Sequence, residues 1–146
     1  MELSERLSDR DLEFLTGNHT AGMITIAPDG TPKVARVGVA VVDGKLWSSG
    51  TLDRTRTKRL RRDPRCTLYV TDPGFGWLAL ETTVTILDGA DAPANNLRLM
   101  RVMQGKPSGS LSWFGGELTE EEFLRTMVEE RRVVYEFDVS RAYGMH

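Results

Sequence analysis

Two Asp-Gly pairs, Asp29-Gly30 and Asp43-Gly44, each separate runs rich in β-formers. Gly22-Met23-Ile24-Thr25-Ile26-Ala27 precedes the first, Lys33 to Val42 lies between them, and Lys45-Leu46-Trp47-Ser48-Ser49 follows the second. Asp-Gly tolerates the positive φ angles of tight hairpin turns, so the pattern predicts three antiparallel strands in a meander. In the middle strand Val37, Val39 and Val41 point one way while Arg36, Gly38 and Ala40 point the other, which predicts one packed face and one open face. Further strands are predicted at Cys66 to Thr71, Trp77 to Leu87 and Val133 to Val139.

Helices mark themselves by their caps. Ser8 with Asp11 has the form of a capping box, opening a helix over about residues 9 to 16 that Gly17 stops. Asp91 and Pro93 begin a second helix, running through Leu97, Met100 and Met103 to Gly105. Thr119 with Glu122 opens a third, whose apolar stripe is Phe123, Leu124, Met127 and Val128. Lys106 to Gly116, with four glycines or prolines, reads as a loop. Six strands and three helices predict a mainly β fold, a small barrel with helices at its edges. At 146 residues the chain fits one domain, residues 1–146, burying roughly 68 to 70% of its unfolded surface.

Charge is unevenly spread. Residues 54–65 hold seven of the nineteen basic side chains against one acid, Asp63, in a chain of net charge −2. Such a patch repels itself unless an anion sits there. It follows Ser48-Ser49-Gly50-Thr51 and contains Thr55 and Thr57, and it leads into a short helical piece anchored by Leu60 and stopped at Pro64. Hydroxyls, a glycine and guanidinium groups at a helix start suit a phosphate. Arg54, Arg56 and Lys58 are read as the anion-binding set, and Arg59, Arg61 and Arg62 as a solvated helical face. A nucleic acid is the other polyanion to weigh, but the patch is one short segment on an acidic chain without an RNP motif, zinc ligands or a recognition-helix pattern.

Other classes are excluded by what is missing. No apolar run approaches the roughly 20 residues that cross a bilayer, and Met1 to Arg6 is charged with no apolar segment after it, so a cytoplasmic protein is expected. One cysteine, Cys66, allows no internal disulfide and reads as a buried inert thiol in a strand. Two histidines, His19 and His146, supply neither a metal cluster nor a Ser/His/Asp arrangement, so any redox chemistry is expected from a bound cofactor. Arg36 fits either a surface ion pair or a ligand contact, and Trp77 either seals a barrel end or covers a flat heterocycle.

The stretch Lys58-Arg59-Leu60-Arg61-Arg62-Asp63-Pro64-Arg65-Cys66-Thr67-Leu68, preceded by Ser-Ser-Gly-Thr and two Asp-Gly hairpins, resembles the split β-barrel flavin and deazaflavin oxidoreductases. These are relatives of pyridoxamine 5′-phosphate oxidase. Gly76-Trp77, Arg131-Arg132-Val133-Val134 and Val139 to Gly144 are similar to the branch that uses coenzyme F420. The resemblance spans Leu12 to Gly144. It implies a homodimer with a cofactor groove between subunits. Ser49, Arg54, Arg56, Thr57 and Lys58 would match the grip on the phosphate end, Ala35 and Arg36 the strand beside the ring, and Trp77 a tryptophan brought over by the partner. Arg36 is larger and more charged than that pattern leads one to expect. The implied activity is hydride transfer between F420 and an unsaturated or carbonyl-type substrate, with no catalytic residue assigned. An FMN enzyme of the oxidase type, or a non-enzymatic carrier of a flavin, F420 or a tetrapyrrole, remains as an alternative.

Overall fold

The computed structural model describes residues 2–146. After a 3-10 turn at Leu3–Glu5 come α1 (Asp9–Gly17), β1 (Thr20–Ile26), β2 (Pro32–Gly38), β3 (Ala40–Val42) and β4 (Lys45–Thr51). Then follow α2 (Thr55–Arg62), β5 (Arg65–Thr71), β6 (Trp77–Leu87) and α3 (Ala92–Gln104). The chain ends in β7 (Leu111–Trp113), β8 (Gly116–Leu118), α4 (Glu120–Glu129) and β9 (Arg132–Met145). Seven strands form one antiparallel sheet in the order β2-β1-β5-β6-β9-β4-β3, with β7 and β8 paired apart from it. The fold is mainly β, a curled antiparallel sheet of the split-barrel kind.

Both predicted hairpins form, but they do not make a meander. β2 pairs only with β1 and β3 only with β4, which places these two consecutive strands at opposite edges of the sheet. The run read as one long strand breaks at Val39, and the break turns the sheet back on itself. Val39 N–H donates to His19 O at 2.9 Å, and Ser48 Oγ of β4 donates to Gly38 O of β2 at 2.6 Å, so the two edges are tied across the seam. The second turn is built on two positive φ angles, 47° at Asp43 and 76° at Gly44, as a tight right-twisted hairpin requires.

The side-chain parity of the middle run survives the break, though its second face is only partly open. Val37 and Val39 enter the barrel core beside Leu46, Leu68, Leu80 and Tyr135. Ala40 and Val42 face a second core under the helices, with Trp47, Leu99, Phe123 and Met127. Before the break Val34 and Arg36 are exposed on this face, while Met103 lies close over Gly38. Two apolar layers on either side of β4 and β9 explain why these strands read as continuous apolar runs.

Three local readings change. Lys106 to Gly116 is not all loop: Leu111–Trp113 folds against Gly116–Leu118 around Phe114 and Gly115, with φ of 45° and 80°. Phenylalanine at a positive φ is an uncommon hairpin signal. Val128 is exposed, leaving Phe123 and Met127 as the buried stripe of α4. Asp91 stands at the N-cap of α3 without a side-chain cap hydrogen bond. The Ser8 cap and the Thr119/Glu122 capping box both form.

Cys66 lies in β5, 3% exposed, and burial pushes its thiol up to about 12, an inert state. Beneath α2, the Thr57 hydroxyl donates to Thr51 O at 2.7 Å and meets the Tyr135 hydroxyl. Tyr135 fits there because residue 50 is glycine; a Cβ at that point would overlap its ring. Gly50→Ala should therefore cost about 1–3 kcal/mol by overpacking. Gly17→Ala, at the end of α1 with nothing within 4 Å, should be neutral or slightly stabilising. Urea denaturation of the two variants checks the contrast, and equal midpoints would refute it.

Candidate functional site

The seam is also where a groove opens. Past Val39 the β2 edge has no strand beyond it, and α3 lies over the outer side of β4. The resulting concavity, about 360 Å³, is lined by Arg36, Val37 and Gly38 of β2, Ser48 and Ser49 of β4, and Arg54 and Arg56 at the start of α2. Its far wall is Met100 and Met103 of α3, Trp113 and Phe114 of the small hairpin, and Arg132. A second concavity of about 390 Å³, lined by Ala35, Asp53, Thr55 and Arg59, shares Arg54 and Arg56 with the first. The two form one continuous cationic trough around the start of α2.

Ion pairing sorts the arginines. Arg61 is bound to Asp88 at 2.7 Å, Arg65 to Asp63 at 2.8 Å, and Arg62 donates to Ile26 O. The Arg65 guanidinium and backbone N–H hold the Asp63 carboxyl down to about 2. Those three cations are satisfied within the protein. Among the described residues, Arg36, Arg54, Arg56, Lys58 and Arg59 form no ion pair. Arg54 is the N-cap of α2 without a capping side chain, and no acid occupies the first turn, so helix dipole and side-chain charge add at one point.

Arg56 is the most constrained of them. Its guanidinium carbon lies 5.8 Å from the Tyr135 ring centroid, and its Nε is a buried donor without a hydrogen-bond partner. Burial lowers its pKa from the ordinary arginine value, Tyr135 offsets part of the effect, and Arg54 adds repulsion. A buried unpaired donor costs about 1–3 kcal/mol. Arg56 lines the trough beside the exposed Arg54, and this donor set fits a group with a negatively charged tail.

The ordering of the far wall by Glu130 escaped the sequence reading. Arg132, its side chain 8% exposed, donates from Nε to Glu130 Oε1 at 2.9 Å and stacks 4.9 Å from the Trp113 centroid. Trp113 Nε1–H donates to the same carboxylate at 3.1 Å, so Glu130 fixes both. Phe114, 81% exposed at the hairpin tip, lies 5.9 Å from Arg132 on the groove side. In the sequence, the loop Lys106 to Gly116 reads as a candidate lining of the substrate pocket and holds Trp113 and Phe114, and Arg131-Arg132 belongs to the stretches that carry the family resemblance.

Of the residues singled out in the sequence, Arg36, Ser49, Arg54 and Arg56 meet around one groove, and Ala35 lies in the adjoining part. Thr57 does not reach it; its hydroxyl is buried beneath and spent on Thr51 and Tyr135. Lys58 is exposed on the opposite flank of α2 from Arg56, because residues two apart on a helix do not face each other. Period-two spacing in the sequence suggested a common face that the helix removes. Trp77 is on the outer sheet surface, in the ladder row Gly38, Thr20, Thr71, Trp77, about 14 Å from the groove edge by strand spacing. It packs there against Tyr69 and Tyr143, with centroids at 5.6 and 6.2 Å.

A larger concavity, about 420 Å³, between the end of α3 and the start of α4 offers less chemistry. Its arginine, Arg101, is already held by Glu120 and by the carbonyls of Lys106 and Gly109. Among the described residues, no group of three or more His, Cys, Asp or Glu is placed to hold a metal ion, and no helix is long and apolar enough to cross a membrane.

Comparison with known proteins agrees with the topology. A family model described as pyridoxamine 5′-phosphate oxidase matches residues 7–145, and the chain belongs to that family. Among solved structures it is similar to a conserved hypothetical protein of Mycobacterium tuberculosis, at TM-score 0.72 and 22% identity over 95% of this chain and 84% of that one. It is also similar to an F420 reductase, at TM-score 0.65 and 20% identity over 90% and 94% of the two chains. A third likeness is to a FAD-binding protein of Mesorhizobium loti, at 0.62 and 19% over 94% and 92%. At these identities the structural likenesses speak for the fold, the family for a flavin-binding oxidoreductase lineage.

Unpaired Arg54 and Arg56 at an uncapped helix start should bind a simple anion. Inorganic phosphate should raise the melting temperature of the wild type, and Arg54→Ala with Arg56→Ala should abolish the rise, since charged hydrogen bonds contribute about 1.5–3 kcal/mol each. Arg61→Ala, which removes a cation already paired with Asp88, should leave the rise intact. An unchanged rise in the double variant would place the anion elsewhere.

Proposed function

We propose that this chain is an F420-dependent oxidoreductase acting on an unsaturated or carbonyl-type organic substrate, with the coenzyme's anionic tail in the trough around the start of α2. The observation that carries this reading is the unpartnered set Arg54, Arg56, Arg59 and Arg36 along a trough that extends through two joined concavities. FMN ends in a single phosphate, whereas F420 carries a phosphodiester and a run of glutamyl carboxylates, so a longer cationic path suits F420. The likeness to an F420 reductase points the same way. Arg61 and Arg62, read from the sequence as a solvated helical face, are turned to Asp88 and Ile26 O and contribute nothing to this path; Arg59, read in the same way, extends it.

Reduced deazaflavin, when bound, supplies the hydride. The chain supplies binding and orientation. Arg56, half-buried over Tyr135, holds negative charge more strongly than a solvated arginine would. Met100, Met103, Trp113 and Phe114 form an apolar wall that keeps water from a flat ring or substrate laid against it. Among the described residues, the part of the trough walled by Met100, Met103, Trp113 and Phe114 has no histidine, cysteine or carboxylate in its lining, and the proton that completes a reduction is assigned to solvent.

Val34, Tyr69, Tyr143 and Met145 are exposed on the outer sheet face around the half-buried Trp77. A second copy packed on this face would cover it and carry Trp77 towards the partner's groove, the role the family resemblance implies for that residue. Contiguous exposed apolar surface of this kind marks association sites.

Two measurements test these readings. Titration with F420 and with FMN, followed by fluorescence, should give the tighter dissociation constant for F420, and the bound, reduced coenzyme should be reoxidised by an added enone or quinone. Tighter binding of FMN with reoxidation by dioxygen would favour the oxidase alternative, and tight binding without turnover the carrier. Sedimentation should show a dimer that Tyr69→Glu with Tyr143→Glu converts to monomer with weakened coenzyme binding; a monomeric wild type would refute the association.

A further inference from the structure

The hydroxyls of the groove have already committed their protons. Ser49 Oγ lies 2.6 Å from Asn96 Oδ1. Asn96 is fully buried on α3, and its Nδ2 donates to Ala92 O at 2.9 Å. A carbonyl oxygen accepts only from the NH2 end of a carboxamide, so the amide is fixed with Oδ1 towards Ser49. Oδ1 carries no proton, and Ser49 must therefore donate. What Ser49 keeps for the groove is a pair of acceptor sites. Ser48 behaves in the same way, its hydroxyl donating to Gly38 O at 2.6 Å.

The arginines that line the same groove have the reverse character. Arg36, Arg54 and Arg56 are donors only. We propose that the groove reads two ligand features at once: an anion at the arginines and an N–H or O–H donor at Ser49. Ser49 is the acceptor, and Asn96 is the positioning residue that makes it one. This inference rests on the cofactor reading above and deepens it. It moves Ser49 away from the phosphate grip that the family resemblance implied. A phosphate dianion against Ser49 would set lone pairs against lone pairs. The matching group is on the uncharged part of a flavin or deazaflavin, an imide N–H of the ring or a hydroxyl of the sugar-alcohol chain.

The test compares ligands with and without phosphate: F420 with its phosphate-free deazaflavin, and FMN with riboflavin, each titrated by fluorescence, with inorganic phosphate as competitor. Ser49→Ala should weaken the phosphate-free and phosphate-bearing member of a pair by the same factor, about tenfold for one lost hydrogen bond to a buried group. Phosphate should compete as well as before, and Ser49→Thr should restore affinity. Asn96→Leu should free the Ser49 proton and make inorganic phosphate a better competitor, a gain that a merely structural asparagine would not produce; if that variant does not fold, the Ser49 series decides alone. Weaker phosphate competition in Ser49→Ala, or no change in any affinity, overturns the inference while leaving the cofactor reading standing. Failure of the wild type to bind all four ligands overturns both.

Discussion

The break at Val39 is the constraint on which the rest of this structure depends. A strand that continued through it would leave β2 and β3 in one ladder and the sheet open. Instead eleven residues, Pro32 to Val42, serve both edges of a seven-stranded sheet, and the edges meet. Closure answers the problem that free strand edges pose, but it is incomplete, since β2 and β4 are joined by a side-chain bond from Ser48 to Gly38 O and not by a ladder. An incomplete seam leaves backbone and side chains facing a gap. The groove is that gap, and every element near it contributes through its position relative to the seam.

Arginines crowd this gap, yet they are not equivalent, and burial and pairing separate them better than their number does. Exposed ion pairs contribute little to stability, so Arg61 with Asp88 and Arg65 with Asp63 are best understood as cations removed from competition for a ligand. Arg56 carries the opposite balance. Desolvation over Tyr135 raises the cost of its charge and, by the same lowered dielectric, strengthens any anion contact it makes. The fold accepts a less stable cation in exchange for a more selective one.

Much of this was legible in the sequence. Asp-Gly turns mark both hairpins because their chemistry is local, and the cap at Ser8 and the capping box at Thr119 mark two helix starts for the same reason. The crossing at Val39 was not legible, because nothing in Val37 to Val41 distinguishes a strand that changes partners from one that does not. Arg54 and Arg56 could be picked out by charge and by the preceding Ser-Ser-Gly-Thr. Lys58 could not be separated from them without knowing that the helix begins at Thr55, which turns a period of two into opposite flanks. The ordering of Arg132 and Trp113 was hidden because Glu130, which holds both, lies in a stretch that reads as a solvated acidic helix end. Tertiary neighbours, not local pattern, decide such residues.

Asn96 illustrates the same limit from the side of chemistry. A serine beside arginines reads as one more donor, and sequence alone has no means of saying where its proton points. A buried carboxamide, held by the carbonyl one helical turn earlier, decides it. The consequence is a groove whose lining asks for opposite hydrogen-bonding character at different points, donors at the arginines and an acceptor at Ser49. A bare anion satisfies only the first. A molecule that joins a negative tail to a ring or chain bearing N–H and O–H groups satisfies both, so the selectivity of the groove follows from proton positions that the fold has fixed before any ligand arrives.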